Sequence, residues 1–371
     1  MQTRRISFPH MGNYFCALKC LVELLSDEVV EPPPITKKTI ELGFKYSPES
    51  VCIPFKYNLG NYIEALEKGA NVLVQSCGGC RFGHYGELQQ EILTKLGYKF
   101  EFIRFEFIKP ANDFNFLSPI KNFKRLNPAV SYCKIISKFT LCFFKIRYLD
   151  YIEDIIRKNI GFEKNKGEFE KSHRAFLAEL ESADTIRKIY FLKKKYKKQI
   201  SKIKLEKPDK PFKVGIIGEL YSLMEPFSNF YLEKELAKKG IEVHRFITVS
   251  SILHEVFSGR RYLNRHIKNA KPYLKYQLGA HGTESVSRAI SLIKQKFDGI
   301  IHLKPFGCMP EVSAISALNR ISKDYKFPII YFSFDSQTSE TGIKTRLEAF
   351  HDMLLMKKNK TFSLQNSYAK K

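Results

Sequence analysis

The chain has 371 residues, of which 44% are hydrophobic, so it can bury a substantial core and global disorder is excluded. Its length exceeds that of one typical domain, and we expect two. The formal net charge of +24 would favour nucleic acid or an anionic membrane as partner, but much of the excess lies in residues 187–213 and the segments around the cysteines carry mixed charge, which argues against nucleic acid.

Two features of the sequence predict a cytoplasmic protein. The first fifteen residues contain no uninterrupted apolar run followed by a small-residue cleavage site. The most apolar stretch, residues 133–148, is interrupted by Lys138 and Lys145 and is shorter than the roughly 20 residues that span a bilayer. In a cytoplasmic chain, eight cysteines favour metal binding, redox chemistry or burial over a disulfide framework.

Strands and helices alternate at the start of the chain. The predicted strands are RRISFP, EVVEPP, NVLVQS and YKFEFIRF, and the predicted helices are YFCALKCLVELLS, NYIEALEKG and HYGELQQEILTKLG. Such alternation is typical of a parallel sheet covered by helices, so residues 1–108 are predicted to form an N-terminal α/β cluster-binding domain.

Helical periodicity dominates residues 109–210, including YLDYIEDIIRKNIG and HRAFLAELESADTIRKIYFLKKKYKKQISKI. We predict a helical bridge or insertion here. Its lysine-rich part keeps apolar residues at helical spacing, which favours an amphipathic helix with a solvated basic face. The alternative is docking to an acidic partner or to the phosphates of a nucleotide-like substrate.

A second α/β pattern begins after the prolines at 208 and 211. Its predicted strands are FKVGIIG, IEVHRFI, DGIIHLKP and FPIIYFSF, and its predicted helices are YLEKELAKKG, SVSRAISLIKQ, PEVSAISALNRISKDY and TRLEAFHDMLL. Residues 211–371 are therefore predicted to form a C-terminal α/β domain with a closing helix. The whole chain is predicted to contain two Rossmann-like, flavodoxin-like doubly wound domains.

The cysteines fall where such sheets bind ligands, outside the carboxyl ends of strands. NVLVQS leads directly into Cys77 and Cys80, DGIIHLKP leads to Cys308, and Cys52 lies in the loop before NYIEALEKG. We interpret these four thiols as ligands of one metal cluster in a cleft between the domains. The neighbouring glycines allow backbone N–H groups to point at sulfur. A zinc site would also explain a lone CxxC pair, but a zinc ribbon needs a second close cysteine pair, which the sequence lacks. A thioredoxin-like pair opens a helix in a different sequence context.

The other four cysteines are predicted to be structural, because free cysteine is among the most buried residue types. Cys16 and Cys20 are four residues apart on an apolar helix face, a spacing that favours core packing but could supply two ligands. Cys133 and Cys142 lie among isoleucine and phenylalanine in the helical segment, where we expect them to be buried.

With these motifs the chain resembles the 2-hydroxyacyl-CoA dehydratase family, specifically its branch related to CoA-protein activases and double-cubane-cluster proteins. The resemblance covers nearly the whole chain. Its elements are ESVCIPFK at 49–56, Gly60-Asn61, CGGCRFGHYGE at 77–87, VGIIGELY at 214–221 with Pro226-Phe227, PFGCMPE at 305–311, FDSQTSETG at 334–342 and TRLEAF at 345–350.

The resemblance implies two Rossmann-like domains and a [4Fe–4S] or double-cubane cluster held by cysteines. It also implies that an ATP-dependent activase or reductase supplies electrons, which pass one at a time to an acyl-CoA or another small substrate. The enzyme would be a radical dehydratase-type lyase or a low-potential reductase component of anaerobic metabolism. The chain lacks an Asp-x-Gly-x-Thr phosphate-binding element, so the ATPase would be a separate partner. A homodimer is an arrangement left open.

Carboxylates near the predicted strand ends are candidates for proton transfer. Glu219 follows the strand FKVGIIG, and Asp335 with Glu340 follows FPIIYFSF. Helix capping is the alternative for Glu219, and a polar turn explains the Asp335 segment adequately. His84 and His281 are more typical of hydrogen-bonded loop histidines, and Arg81 could stabilise cluster charge or make a surface ion pair.

Two other functions compete with the redox enzyme. One is a noncatalytic cluster-binding module or scaffold that docks an activase through the lysine-rich helix. The other is a zinc-stabilised or basic scaffold that binds an anionic polymer, and this protein would be colourless with salt-sensitive binding.

Overall fold

A computed structural model describes residues 3–77, 84–106 and 117–368 of the chain. The chain divides into two compact units. The first unit comprises Met1–Ile156, Asn165–Ile203 and Thr248–Asn264, and the second comprises Arg157–Lys164, Lys204–Ile247 and Arg265–Lys371. Most of the helices predicted as a bridge over 109–210 belong to the first unit.

The first unit contains a four-stranded parallel sheet with the order β2-β1-β3-β4. Its strands are β1 (Arg5–Ser7), β2 (Glu28–Val29), β3 (Val72–Cys77) and β4 (Glu101–Glu106). The inner strands β1 and β3 bury apolar side chains such as Ile6 and Leu73, as expected for strands of a covered parallel sheet. All four strands coincide with predicted strands.

Eight α-helices lie among the described residues between β1 and residue 200. They are α1 (Phe15–Val22), α2 (Lys37–Tyr46), α3 (Ile53–Glu67), α4 (Tyr85–Lys95), α5 (Leu117–Leu126), α6 (Tyr132–Asn159), α7 (Glu168–Ser182) and α8 (Ile186–Ile200). Short 3-10 helices lie at Gly12–Tyr14 and Ile160–Phe162. Helix α3 begins eight residues before the predicted NYIEALEKG, and most of its side chains are buried, so it lacks the polar stripe by which an amphipathic helix is recognised.

Helices α2 and α3 cross with their backbones in contact. A Cβ atom at Gly60 would lie 1.9 Å from the carbonyl oxygen of Thr39, and one at Gly43 would lie 2.0 Å from that of Lys56. Only glycine permits this approach, since any side chain would overlap the opposite backbone. The crossing fixes the position of α3 against α2, and Cys52 is the N-cap residue of α3.

The second unit contains another four-stranded parallel sheet, with the order β6-β5-β7-β8. Its strands are β5 (Phe212–Gly218), β6 (Ile241–Arg245), β7 (Gly299–Pro305) and β8 (Ile329–Phe334). All four coincide with predicted strands. Each unit thus places its first strand beside its third, and the protein is a mixed α/β protein with two parallel sheets.

The remaining helices are α9 (Leu220–Met224), α10 (Leu232–Lys238), α11 (Val249–Ser258), α12 (Arg260–Ala270), α13 (Gly282–Lys294), α14 (Met309–Asp324) and α15 (Glu340–Tyr368), with a 3-10 helix at Phe227–Asn229. Helices α13 and α14 share a buried cluster with Ile300 of β7. Gly299 lies against Phe350 of α15. Among the helices that the structure describes, none combines the length and apolar content that a bilayer-spanning segment needs.

Candidate functional site

The carboxyl end of β3 carries the first of the predicted ligands. Cys77 is the last residue of β3, where it pairs with Glu106 of β4. Cys80 and Arg81, as well as the side chain of Cys77, lie outside the described residues. After the CxxC segment, His84 is the exposed N-cap residue of α4. The structure therefore gives the two ends of the CxxC segment.

Cys52 lies beside the second of these ends. Its Sγ atom is 2.8 Å from the hydroxyl oxygen of Tyr85, the first residue of α4. The backbone N–H of Cys52 also donates to this hydroxyl, at 3.4 Å. Tyr85 follows Cys80 by only five residues in the sequence. The fold of the first unit thus brings Cys52, the N-cap residue of α3, next to the helix that follows the CxxC segment.

Packing and hydrogen bonds keep α3 against β3 and α4. The Tyr62 hydroxyl donates to the carbonyl oxygen of Val74 in β3, at 3.0 Å. The buried ring of Phe55 meets the ring of Tyr85 edge-on, with centroids 4.8 Å apart. These contacts tie together the three elements that carry Cys52, Cys77 and the end of the CxxC segment.

Asn61 fixes two neighbouring segments to α3. Its side-chain oxygen accepts from the backbone N–H of His10, at 2.8 Å, and its side-chain nitrogen donates to the carbonyl oxygen of Pro33, at 2.7 Å. Asn61 is buried. His10 lies in the segment that follows β1, next to β3 in the sheet. The Gly60-Asn61 pair therefore has structural roles, Gly60 in the helix crossing and Asn61 in positioning these segments.

A buried amide without a partner lies near the CxxC segment. Gln75 is on β3, two residues before Cys77, and is 1% exposed. Neither its side-chain nitrogen nor its oxygen has a hydrogen-bond partner among the described residues. A buried amide that makes no hydrogen bond costs about 1–3 kcal/mol, so a partner beyond the described residues would explain why Gln75 is present.

Cys308 in the second unit has the same local structure as Cys52. It follows β7 and is the N-cap residue of α14, just as Cys52 is the N-cap residue of α3. Both cysteines are half-buried, and each is followed two residues later by proline, Pro54 or Pro310, in the first helical turn. The recurring Cys-x-Pro pattern is a sequence signal for a thiol at a helix N-terminus, where the helix dipole favours negative charge.

Lys304 places a positive charge near Cys308. It lies on β7, is 6% exposed, and donates to the hydroxyl oxygen of Ser333 at 2.9 Å. Burial lowers the pKa of Lys304, while the charges of Cys308, Glu311 and Asp335 act in the opposite direction. An ammonium group with little solvent interacts strongly with any anion that comes close to it.

Three further polar side chains are buried or half-buried near Lys304 on β7, β8 and α14. His302 of β7 and Glu311 of α14 are 0% and 1% exposed, and their Nε2 and Oε2 atoms are 2.7 Å apart. Tyr331 of β8 is in register with His302, and their rings meet at 5.6 Å. In the described part of the chain, His302 Nδ1, Glu311 Oε1 and the Tyr331 hydroxyl have no partner. Burial raises the pKa of Tyr331 to about 12.

We call His302, Lys304, Glu311, Tyr331 and Ser333 the polar column. His302 pairs in register with Tyr331, and Lys304 pairs with Ser333 at the carboxyl end of the same two strands. None of these five residues was predicted from the sequence. The signal that could have found them is the presence of histidine and lysine at alternate positions of the otherwise apolar strand GIIHLKP.

Glu219 has the structural role that was the alternative to proton transfer. It is the N-cap residue of α9, and its two carboxylate oxygens accept from the backbone N–H groups of Tyr221 and Ser222, both at 2.9 Å. The Ser222 hydroxyl donates to the same carboxylate, at 2.9 Å. Burial raises the pKa of Glu219, while these hydrogen bonds oppose the shift. The carboxylate is therefore engaged in helix capping.

The other acidic and histidine candidates also have local partners. Asp335 accepts from the Gln337 backbone N–H at 2.9 Å and from the Thr338 hydroxyl at 3.0 Å, which forms a polar turn. Glu340 pairs with Lys344 one turn later, at 2.7 Å. His281 is the N-cap residue of α13, and its Nδ1 atom lies 3.3 Å from a carboxylate oxygen of Glu284.

The cysteines of α1 and α6 pack against each other in the first unit. Cys16, Cys20 and Cys142 are buried, as expected, whereas the prediction of burial is wrong for Cys133, which is exposed. Burial raises the pKa of Cys16 to about 12, so this thiol is protonated in the structure as described. A hydrogen bond with Cys142 lowers the pKa of Cys20.

Within the described part of either unit taken by itself, no three cysteine, histidine or carboxylate side chains bring their ligand atoms within 4.8 Å of one another. Of the candidate ligands, Cys52 lies against Tyr85, the first residue of the helix that follows the CxxC segment. Comparison with known proteins adds no assignment: no protein-family model matches the chain, and no curated protein matches it.

Proposed function

We propose that the chain is an iron–sulfur protein of the 2-hydroxyacyl-CoA dehydratase type, with two doubly wound Rossmann-like domains. Cys52, Cys77, Cys80 and Cys308 ligate a [4Fe–4S] or double-cubane cluster. An ATP-dependent activase supplies electrons, which are delivered one at a time to an acyl-CoA or another small substrate. The observation that carries the proposal is the contact of Cys52 Sγ with the Tyr85 hydroxyl, beside the end of the CxxC segment, at 2.8 Å.

The described residues fit such a group. Iron–sulfur clusters are held by cysteine thiolates, and their potential depends on hydrogen bonds to sulfur. Cys52 and Cys308 are half-buried helix N-caps whose side chains make no capping hydrogen bond, so their sulfur atoms are not committed to the helix ends. The Gln75 amide, buried two residues before Cys77 and without a partner among the described residues, supplies a hydrogen-bond donor of the kind that tunes such sites.

When bound, the cluster supplies single electrons at low potential. The chain's own residues hold charge and position the ligands. The Lys304 ammonium and the N-terminus of α14 present positive charge near Cys308, which favours an anionic group of a substrate or an oxygen atom that gains negative charge. The contacts of α3 with β3 and α4 keep Cys52 beside the CxxC segment.

One observation favours the noncatalytic alternative, a cluster-binding partner or scaffold of an activase system. Both oxygens of the Glu219 carboxylate accept hydrogen bonds at the start of α9, so this residue is already engaged as a cap and not poised as a general acid or base. An assay of dehydration of 2-hydroxyacyl-CoA substrates with a reductant and an activase separates the two. Turnover supports the enzyme, and a reducible cluster without turnover supports the accessory protein.

Iron, acid-labile sulfide and zinc per chain test the cluster itself on anaerobically purified protein. We expect about four iron and four sulfide for a single cubane, and about eight of each for a double cubane. Substituting alanine for Cys52, Cys77, Cys80 or Cys308 should remove most of the iron. Cys133→Ala is the matched control, since this exposed cysteine is outside the proposed ligand set. Zinc without sulfide, or equal iron in Cys77→Ala and Cys133→Ala, would overturn the proposal.

The variant Gln75→Leu tests the proposed hydrogen bond to the cluster. Without the cluster, the variant should be more stable than the parent by about 1 kcal/mol or more, because a buried amide without a partner is replaced by an apolar group of similar size. With the cluster, iron content should be retained and the reduction potential should become more negative, since a donor to sulfur is lost. Redox titration followed by electron paramagnetic resonance measures the potential. An unchanged potential contradicts the assignment of Gln75.

A further inference from the structure

Helix α8 is the most basic helix of the first unit. Seven of its 15 residues are lysine or arginine, and none is acidic. Its inner face is formed by Ile189, Tyr196 and Ile200, which are buried. Successive residues of a helix are about 100° apart, so Arg187, Phe191, Lys194 and Lys198 lie on the opposite face. We call these four residues, with the adjacent Tyr190 and Lys197, the basic face of α8.

The cations of the basic face differ from the other lysines of α8 in their ion pairing. Elsewhere on α8, Lys188 pairs with Asp184 at 2.8 Å and Lys195 pairs with Glu179 at 2.6 Å. By contrast, no carboxylate among the described residues pairs with any cation of the basic face, which comprises Arg187, Lys194, Lys197 and Lys198. Four cations on adjacent turns repel one another, and an anionic surface would relieve that repulsion.

Large aromatic side chains are exposed among these cations. Phe191 is 55% exposed and Tyr190 is 45% exposed. The Arg187 guanidinium lies 5.6 Å from the centroid of the Phe191 ring, and the Lys194 ammonium lies 4.7 Å from that of Tyr190. These contacts cover only part of each ring, and covering the rest would remove further apolar surface from water. The rings and cations together therefore suit a partner that is both anionic and partly apolar.

We propose that the basic face of α8 docks on a lipid surface that carries anionic headgroups. Lysine predominates among its cations, and clustered lysine is attracted to the negative potential of such surfaces. Long lysine chains can lie along the interface with their ammonium groups at the headgroups, while aromatic rings are favoured at that depth.

Other partners fit this face less well. Protein–protein interfaces are depleted of lysine. Single-stranded nucleic acids are bound in basic grooves with stacking platforms, whereas a helix face is convex. The proposal does not depend on the cluster, since no cysteine of the proposed ligand set lies on α8.

Sedimentation with vesicles tests the proposal with the full chain. We expect binding to phosphatidylcholine vesicles that contain about 30% phosphatidylserine, weakening as salt is raised, and no binding to pure phosphatidylcholine vesicles. Replacing Arg187, Lys194, Lys197 and Lys198 by glutamine should weaken binding at least about tenfold. Phe191→Ser should weaken it without changing the net charge. These side chains are exposed, so folding is preserved, which circular dichroism checks.

A second charge variant is the matched control. Glutamine at Lys37, Lys68, Lys99 and Lys121 removes the same number of positive charges from exposed positions elsewhere in the first unit. This variant should bind nearly as well as the parent chain. Equal loss in the two variants would show that only net charge matters and would overturn the proposal. So would equal binding to neutral vesicles, or binding to poly(U) that is tighter than binding to anionic vesicles.

Discussion

Replacing Gly60 by alanine is expected to lower the free energy of unfolding by about 3 kcal/mol or more. The new Cβ would lie 1.9 Å from the carbonyl oxygen of Thr39, a backbone atom of α2. Because a backbone atom cannot rotate aside as a flexible side chain can, α2 and α3 must separate, and the tight packing between them is lost. Chemical denaturation followed by far-UV circular dichroism measures the change.

Gly342→Ala is the control for this substitution. Gly342 lies near the start of α15, and the nearest atom to its Cβ position is the Ser339 hydroxyl oxygen, 3.2 Å away, which can move. Alanine has the higher helix propensity, so this variant should be more stable by up to about 1 kcal/mol. Similar small effects at Gly60 and Gly342 would contradict the close crossing of α2 and α3.

Gly60→Ala also connects the fold to the proposed cluster. Cys52 is the N-cap residue of α3, so a displaced α3 moves this thiol away from Tyr85. We therefore expect the variant to hold less iron per chain although every cysteine is retained. Gly342→Ala should hold as much iron as the parent. If Gly60→Ala lost stability but kept its iron, the crossing of α2 and α3 would not be needed to position Cys52.

The second large effect is expected at the buried pair of His302 and Glu311. Glu311→Ala should lower the free energy of unfolding by about 3 kcal/mol, since it leaves a buried imidazole without its carboxylate and opens a cavity. The imidazole cannot easily compensate, because its Nδ1 atom already lacks a partner among the described residues. Thermal or chemical denaturation measures the loss.

A double-mutant cycle distinguishes this pair from a surface contact. We expect His302→Leu and Glu311→Leu each to be strongly destabilising. The loss of stability in the double variant should be smaller than the sum of the two single losses, by about 1–3 kcal/mol. The exposed pair Glu91 and Lys95, 2.6 Å apart on α4, is the control and should show much weaker coupling. Additive effects at His302 and Glu311 would mean that the two side chains do not depend on each other.

A partly satisfied polar group in a core is costly, and proteins retain such groups mainly where function requires them. Glu311 lies in the first turn of α14, three residues after Cys308, and Lys304 lies on the same strand as His302. The polar column therefore links the interior of the second unit to the helix end that carries a proposed ligand. It is the part of the second unit in which substitutions most directly test both stability and the proposed chemistry.

Residue patterns were sufficient to predict the strands. The strands β1 to β8 all coincide with predicted ones, because in parallel sheets apolar runs bounded by glycine, proline and polar residues are strong local signals. Helices α2, α9, α11 and α12 were not predicted. Sequence signals for two of them were missed: Thr36 and Thr39 form a capping box at the start of α2, and Leu263, Ile267 and Ala270 of α12 recur at helical spacing although the helix is rich in arginine and lysine.

The sequence by itself determined the order of the strands, the placement of Cys77 and Cys308 near the carboxyl ends of strands, and the helical character of the basic segment, because these depend on short-range patterns. Only the tertiary structure decided that Cys52 contacts Tyr85, that Gln75 lacks a partner among the described residues, and that His302 pairs with Glu311. It also decided that Glu219 caps a helix. These outcomes depend on register and side-chain packing between elements, and local propensity carries no information about either.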